Sequence, residues 1–157
     1  MNYNYRGRIL EINDARIIFR NFRGAQDKYN REGERNFSVV IPNEEIAEAL
    51  KSDGWNIKDR PNEDGTKSYR LPVKVKFNGR GPAAYVVSGN NTPRRLDEES
   101  IEILDEIDIS SVDMDIRPYD WDVSGKTGRT AYLDAIHVIQ NIDRFGARYA
   151  KNEEAPF

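Results

Sequence analysis

The residues best suited to bind a ligand lie between Arg117 and Leu133, in the segment RPYDWDVSGKTGRTAYL. Around a Gly-x-x-Gly sequence, this segment combines cations with aromatic rings: Arg117, Lys126, Arg129, Tyr119, Trp121 and Tyr132. Single-stranded nucleic acid binds to such combinations, because every base can stack on a ring and every nucleotide carries a phosphate. Aromatic residues in strands also pack against neighbouring strands, so a structural role for each ring is the alternative.

Two extended segments would have to position these side chains. Val112, Met114 and Ile116 alternate with polar residues, which predicts a half-buried strand. Residues 130–142 form a second run rich in β-branched and aromatic residues. The segment Gly125–Gly128 is therefore predicted to turn a long hairpin, with its glycines supplying positive φ.

The composition excludes several classes of site. The 157 residues predict one domain with a real core, and no apolar run is long enough to cross a membrane. The chain has no cysteine and one histidine, His137, which excludes disulfides, thiolate metal sites and sites built on several histidines. The N-terminal segment MNYNYRGR has no apolar centre, so we expect no secretory signal, and the absence of cysteine fits a reducing cytoplasm.

The charge is distributed unevenly along the chain. The net charge is −3, but residues 1–96 hold 18 Lys and Arg against 12 Asp and Glu, whereas residues 97–157 hold 6 against 15. A basic half joined to an acidic half can bind a polyanion on one face, despite the negative total.

The remaining pattern is dominated by strands. Residues 5–12 and 15–22 predict two strands joined at Asn13-Asp14, and a third strand begins at Arg35 and ends at Pro42. A short helix is expected from the N-cap Asn43 to Gly54, with Trp55 contacting Leu50 in a Schellman ending.

The segment YRLPVKVKF, residues 69–77, alternates cleanly. Its apolar residues should face the core, while Arg70, Lys74 and Lys76 form a basic stripe on the other face. Pro72 falls on that polar face, which predicts an edge or a bulge there. A second short helix with a strongly acidic side is predicted to begin at Asp97.

These elements predict a mainly β protein. A partly open, five-stranded barrel of the OB-fold type, with extra hairpins and two short helices, accommodates them best. A β-sandwich is the competing architecture.

Several segments together resemble bacteriophage single-stranded-DNA-binding proteins of the OB-fold type. They are FRNFRG (19–24), ERNFSVVIP (34–42), DGWNIK (53–58) and RPYDWDVSGKTG with TAYL (117–133). The resemblance implies a protein that coats and protects single-stranded DNA, with tolerance of sequence, in phage replication or recombination in the host cytoplasm. It implies a DNA-facing groove drawn from Arg20, Phe22, Arg23, Asn36, Phe37, Trp55, Lys58, Arg117, Tyr119, Trp121 and Lys126, to which the alternation adds Lys74 and Lys76.

The C-terminus suggests a second feature. We expect one domain over residues 1–145 and a flexible tail over residues 146–157 with an acidic Pro-Phe tip, formed by Glu153, Glu154, Pro156 and Phe157. Such tips resemble those with which single-stranded-DNA-binding proteins of bacteria and several phages end, and a polymerase or helicase is the implied partner. A frayed terminus is the alternative.

Two other functions stay open at this stage. A metal-dependent nuclease would use the aspartates Asp113, Asp115, Asp120, Asp122 and Asp134, since carboxylates can hold Mg²⁺. A phage structural or protein-interaction module would explain the fold and the charge asymmetry but not the basic stripe beside aromatic rings. The favoured interpretation has no catalytic residue, metal, cofactor or membrane partner, and the sequence leaves open whether the chain forms a homo-oligomer.

Overall fold

The computed structural model describes residues 1–79, 81–88 and 92–141, and its elements are mostly strands. The strands are β1 (Asn2–Arg6), β2 (Ile9–Ala15), β3 (Ile17–Asn21), β4 (Arg35–Ile41), β5 (Lys58–Pro61), β6 (Lys67–Val75), β7 (Ala83–Ser88), β8 (Arg94–Leu96), β9 (Ile109–Val123) and β10 (Lys126–Gln140). One α-helix, α1 (Glu44–Ser52), and one 3₁₀ helix (Ile101–Asp105) complete the described elements.

The strands form one branched sheet in the order β1-β2-β9-β10-β6-β4-β3, and the two ends of this path are not paired with each other. A mainly β, incompletely closed architecture is therefore confirmed. Strand β10 is the centre of the sheet, because it has partners on both sides. On one side it pairs antiparallel with β9 along its length. On its other side it meets β6 at Tyr132 and then runs parallel to β7 from Ala135 to Gln140.

The outer half of the β9–β10 hairpin projects from this sheet as a two-stranded ribbon. Strand β2 pairs with β9 only as far as Ile116, and β6 meets β10 only at Tyr132. Residues 118–131 consequently have only each other as sheet partners in the described part of the chain. We call residues 118–131 the arm.

The core lies on one side of the sheet, where α1 covers it. Alternate residues of β4 and β6 are buried there, as the sequence pattern predicts, among them Val39, Leu71 and Val73. Ala47 and Leu50 of α1 are fully buried against them. The opposite side of β6, which carries Lys74, is left accessible.

The predicted ends of α1 are confirmed. The side chain of Asn43 accepts a hydrogen bond from the Ile46 N–H at 2.9 Å. Gly54 has φ +104°, and the Trp55 N–H donates to the Leu50 carbonyl at 3.0 Å, which is the Schellman pattern. Trp55 is thereby turned inward and is 3% exposed.

Two predicted turns are misplaced, the first by six residues, whereas the second still includes Gly125. The first hairpin turns at Gly7-Arg8, while Asp14 lies within β2 at an irregularity in its pairing with β9, where its N–H donates to Asp113. The arm turns at Ser124-Gly125, both with positive φ, rather than over Gly125–Gly128. Both errors arise because a glycine or an Asn-Asp pair favours a turn without fixing which residues the strand register leaves unpaired.

The position of Pro72 is explained by a gap between two neighbours of β6. Pairing with β5 ends at Arg70, and the contact with β10 is at Lys74. Pro72 therefore lies at a local edge on that side of the strand, where its missing N–H costs no ladder hydrogen bond.

Candidate nucleic-acid interface

A row of polar and aromatic side chains crosses the accessible side of the sheet. Lys74 of β6 is in register with Asn36 of β4 and with Tyr132 of β10, and Tyr132 is in register with Arg117 of β9. Residues directly opposite each other on neighbouring strands point to the same side of a sheet. The four side chains therefore lie on one surface, which we call the outer face.

The arm continues the outer face with two exposed aromatic residues. Tyr119 and Trp121 follow Arg117 at alternate positions, and they are 54% and 37% exposed. The Tyr119 ring meets the Tyr132 ring edge-on, with centroids 6.2 Å apart, and the Arg117 guanidinium lies 5.3 Å from the Tyr132 centroid. These contacts make a rigid cluster of rings and positive charge, as base stacking requires.

Gly128 explains how Trp121 is seated. The two residues are cross-strand partners, and a Cβ at Gly128 would collide with the six-membered ring of Trp121. The glycine that the sequence suggested for a turn instead makes room for an indole that lies across the arm.

Beside this row the outer face hollows into a groove of about 580 Å³. The side chains that line it include Phe19, Tyr29, Asn36, Arg70, Pro72, Lys74, Lys76 and Tyr132. Its walls come from β3, from the loop between β3 and β4, and from β10, while β4 and β6 form the floor. Lys58 of β5 is in register with Arg70 and extends the basic surface.

The ion pairs of the described residues do not involve the cations of the outer face. No ion pair among residues 1–79, 81–88 and 92–141 involves Lys58, Lys74, Lys76, Arg117 or Lys126. Seven other cations in these ranges are ion-paired, for example Arg35 with Glu98 and Arg23 with Glu106. The outer face therefore keeps positive charge available for an external anion.

Acidic residues bound this face further along β9. Asp115 lies beside Glu11 and pairs with Arg6 at 3.4 Å. Partial burial, followed by the charge of Glu11, raises the pKa of the Asp115 carboxyl. A phosphate would be repelled there, so the positive surface ends near Arg117.

Arg129 fastens the arm to the body of the protein from the opposite side of the ribbon. Its Nε donates to Asp120 Oδ1 at 2.6 Å, and its Nη1 donates to the Asp53 carbonyl at 2.8 Å. Its guanidinium also lies 5.0 Å from the centroid of the Trp55 ring. The hydrogen bond from Arg129, supported by Arg8, lowers the pKa of the Asp120 carboxyl.

Tyr5 completes this anchor beneath the arm. The Trp55 indole N–H donates to the Tyr5 hydroxyl at 2.9 Å, and the hydroxyl donates to Asp53 Oδ2 at 2.6 Å. Partial burial and the hydrogen bond to Asp53 raise the pKa of Tyr5 to about 12. The end of α1 and strand β1 thus hold the direction in which the arm projects.

Three of the aromatic residues that the resemblance implied for the groove lie in the core instead. Phe22 and Phe37 stack on each other with centroids 5.1 Å apart, and both are buried. Trp55 is buried beneath the Arg129 guanidinium, and its indole N–H donates a hydrogen bond to the Tyr5 hydroxyl. These rings leave no free face for a base, so their structural role is to shape the groove from below.

Two predicted arginines line a hollow of about 700 Å³ beside the groove, but their hydrogen-bonding groups are engaged within the protein. Arg20 donates through Nη1 to the carbonyls of Leu104 and Ile107, at 2.8 and 2.7 Å, and so fastens the 3₁₀ helix. The Arg23 side chain pairs with Glu106, and its backbone N–H donates a hydrogen bond to Asp105. Asn36 does lie on the outer face, but its side-chain amide donates to Asn30 at 2.8 Å and holds the β3–β4 loop.

Five of the groove residues named above were absent from the predicted set: Phe19, Tyr29, Arg70, Pro72 and Tyr132. Tyr132 belongs to the aromatic segment from which the prediction started, and Arg70 belongs to the basic stripe of β6, so both had a sequence signal. Phe19 opens the segment FRNFRG on which the resemblance rests, but alternation alone does not reveal that its backbone leaves the regular strand conformation.

The aspartates considered for a nuclease are mostly engaged. Asp120 is held by Arg8 and Arg129, Asp115 by Arg6, and Asp113 accepts the Asp14 N–H. Among the described residues no group of three or more His, Cys, Asp or Glu has the arrangement of a metal site.

The tail residues Glu153, Glu154, Pro156 and Phe157, and the predicted domain boundary at residue 145, lie outside the described residues. Within residues 1–79, 81–88 and 92–141, no helix is long and apolar enough to cross a membrane.

Comparison with known families gives one match that spans nearly the whole chain. Residues 2–156 match the family model described as "Putative phage ssDNA-binding domain". No curated protein matches the chain.

Solved structures of one phage protein are similar in fold. The single-stranded DNA-binding protein from bacteriophage Enc34 matches in a C-terminally truncated form with a TM-score of 0.54 at 13% identity, covering 87% of each chain. The same protein in complex with single-stranded DNA matches with a TM-score of 0.53 at 14% identity, covering 88% of this chain and 90% of that one. Its structure without the truncation gives a TM-score of 0.53 at 13% identity, with coverage of 94% and 89%.

Proposed function

The chain belongs to the family of phage single-stranded-DNA-binding domains, and on that premise we propose that it binds single-stranded DNA along the outer face, without preference for sequence. One observation carries the assignment of the face. Lys74, Lys76, Arg117 and Lys126 have no carboxylate partner among the described residues, and they lie on the same face as the exposed rings of Tyr119 and Trp121.

In this proposal the cations neutralise phosphates and the rings stack on bases. Lys58, Lys74, Lys76, Arg117 and Lys126 are long, flexible or forked donors that can follow a strand backbone. Stacking on an aromatic ring and contact with a phosphate read no base edges, so binding tolerates any sequence.

We place the biological role in the coating and protection of single strands during phage DNA replication or recombination, in the host cytoplasm. The acidic Pro-Phe tip, Glu153 to Phe157, is proposed to dock on a replication protein such as a polymerase or helicase. An anionic tip would also compete with phosphate for the outer face when DNA is absent.

The proposed activity has no catalytic step. Incubation of a labelled oligonucleotide with the protein and Mg²⁺ tests this, since a binding protein leaves the strand intact and a nuclease shortens it. If the wild-type protein cleaves the strand and the Asp113→Asn variant does not, the aspartates act as metal ligands of a nuclease.

Tryptophan fluorescence tests the proposal directly. Trp121 lies on the outer face and Trp55 is buried, so poly-dT should quench part of the emission, whereas a Trp121→Phe variant should lose that response. Duplex DNA and RNA of equal length are titrated in parallel. Tighter binding to duplex than to the single strand would contradict the proposal.

A further inference from the structure

Phe19 combines exposure with an unfavourable backbone. Its side chain is 60% exposed, and its φ is +53°, a region that bulky L-residues rarely occupy. A folded chain seldom keeps a large ring in water on a strained backbone, and such strain tends to gather where it serves a site.

The cause is a bulge in β3. Ile18 is in register with Ser38 and Asn21 with Asn36, so β3 uses three steps where β4 uses two. The extra residue leaves Ile18 and Phe19 lining the same hollow, between β3 and β5, although they are consecutive.

Arg20, which lies with Phe19 in the bulged stretch, holds the bulge in place. Its guanidinium donates to the carbonyls of Leu104 and Ile107 on the 3₁₀ helix side. Two short hydrogen bonds from one charged group resist the rotation that would return Phe19 to a regular strand. The bulge is therefore enforced by contacts outside Phe19 itself.

Arg70 supports the ring. Its guanidinium lies 5.3 Å from the Phe19 centroid, and its Nη1 donates to Ser38 Oγ at 2.9 Å, which fixes the arginine from below. Phe19 and Arg70 together line three adjoining hollows of about 580, 410 and 700 Å³. The ring thus stands as a ridge between hollows, with positive charge beside it.

We propose that Phe19 is a base-stacking residue and that the bound strand crosses the sheet from Tyr119 on β9 to Phe19 on β3. This inference rests on the proposed function and adds the path that the DNA strand takes across the sheet. Four inter-strand spacings separate β9 from β3 in the sheet order, or about 19 Å at roughly 4.8 Å each. Lys74 and Arg70 of β6 lie between the two rings in the sheet order, and Arg117 lies beside Tyr119, where phosphates of a crossing DNA strand would pass.

Two substitutions separate the ring from the strain. Phe19→Leu keeps an apolar side chain on the same backbone but removes the aromatic face. Phe19→Gly removes the ring and also relieves the positive φ. Asp14→Gly is the matched control, because Asp14 has φ +52° in the β2 irregularity, away from the groove.

The readouts are the affinity for a dT oligonucleotide at about 0.15 M salt, close to the physiological ionic strength at which long-range charge is screened, and the melting temperature. We expect Phe19→Leu to weaken binding by roughly five- to 150-fold, the range that stacking of one base corresponds to. Phe19→Gly should weaken it as much while raising the melting temperature, and Asp14→Gly should raise the melting temperature with affinity unchanged.

Different results refute different statements. If the wild-type protein binds the oligonucleotide and Phe19→Leu binds within twofold of it, the stacking role of Phe19 is wrong and the proposed function stands. If both Phe19 variants lose stability together with affinity, Phe19 is a structural residue. If the wild-type protein does not bind single strands at all, the proposed function fails and this inference fails with it.

Discussion

The salt dependence of binding gives a quantitative prediction of the outer-face proposal. Five cations are placed on phosphates, and a single strand releases about 0.7 counterion per neutralised phosphate, so the logarithm of affinity should fall with the logarithm of salt at a slope of about −3.5. Raising salt from 50 to 200 mM should therefore weaken binding about 130-fold. The five are Lys58, Lys74, Lys76, Arg117 and Lys126.

Removing two of them should change both quantities by a calculable amount. In the double variant Lys74→Gln with Lys76→Gln, three contacts remain, so the slope should fall to about −2.1 and the same salt step should cost about 20-fold. Fluorescence anisotropy of a labelled dT oligonucleotide at five or six salt concentrations measures both.

Lys51 supplies the matched control. It is matched to the single variant Lys74→Gln, in which four contacts remain and the slope should fall to about −2.8. Lys51 lies on α1 and pairs with Glu48 and Asp59, so Lys51→Gln removes the same single charge away from the outer face. Its slope should stay at the wild-type value. A double variant of Lys74 and Lys76 with an unchanged slope, or a Lys51 variant with the larger loss, would refute the placement of the phosphates.

Three further predictions concern the arm and its anchor. Tyr119→Ala and Trp121→Ala should each weaken single-strand binding by ~1–3 kcal/mol while the protein remains folded by circular dichroism, and unchanged affinity would return both rings to a packing role. Arg129→Ala should lower the free energy of unfolding by about 2–3 kcal/mol, because it removes the charged hydrogen bond to Asp53 and the contact with Trp55. It should also weaken DNA binding because the arm is no longer held. An unaffected affinity would show that the anchor is not needed. Folding raises the pKa of Tyr5 from 10.0 to about 12, so its contribution to stability is complete below pH 10 and is lost as pH rises through 12. Chemical denaturation over this pH range should show a steeper loss of unfolding free energy in the wild type than in Tyr5→Phe. Parallel curves of unfolding free energy against pH would contradict the role of its hydroxyl.

Where local pattern and tertiary packing agree, the fold could be predicted from the sequence. The strands β4 and β6 and both ends of α1 are placed correctly, because alternation and capping are set by neighbouring residues. The basic stripe with Lys74 and Lys76 follows from the same alternation. The turns at Gly7 and Ser124 could not be predicted, since strand register depends on long-range pairing with β9 and β10.

The candidate site was predictable only in part. Resemblance places Phe22, Phe37 and Trp55 in the right segments but does not say which side of each segment faces the core. Exposure of Phe19 depends on a bulge that is held by hydrogen bonds from Arg20 to carbonyls at the 3₁₀ helix, which is distant in sequence, so no local pattern indicates it. Which cations lack a carboxylate partner is likewise known only from the folded structure, because ion pairs can join residues that are distant in sequence.

The most direct test of the account is the surface that changes when DNA binds. In NMR spectra of the isotope-labelled protein titrated with a dT oligonucleotide, the largest amide and aromatic shifts should fall at Lys74, Tyr132, Arg117 and Tyr119. The acidic segment Glu98–Glu106 should stay unchanged, as it carries the charge that phosphate avoids. Shifts concentrated on that acidic segment, with Lys74 and Tyr119 unmoved, would contradict the central claim that the outer face binds the strand.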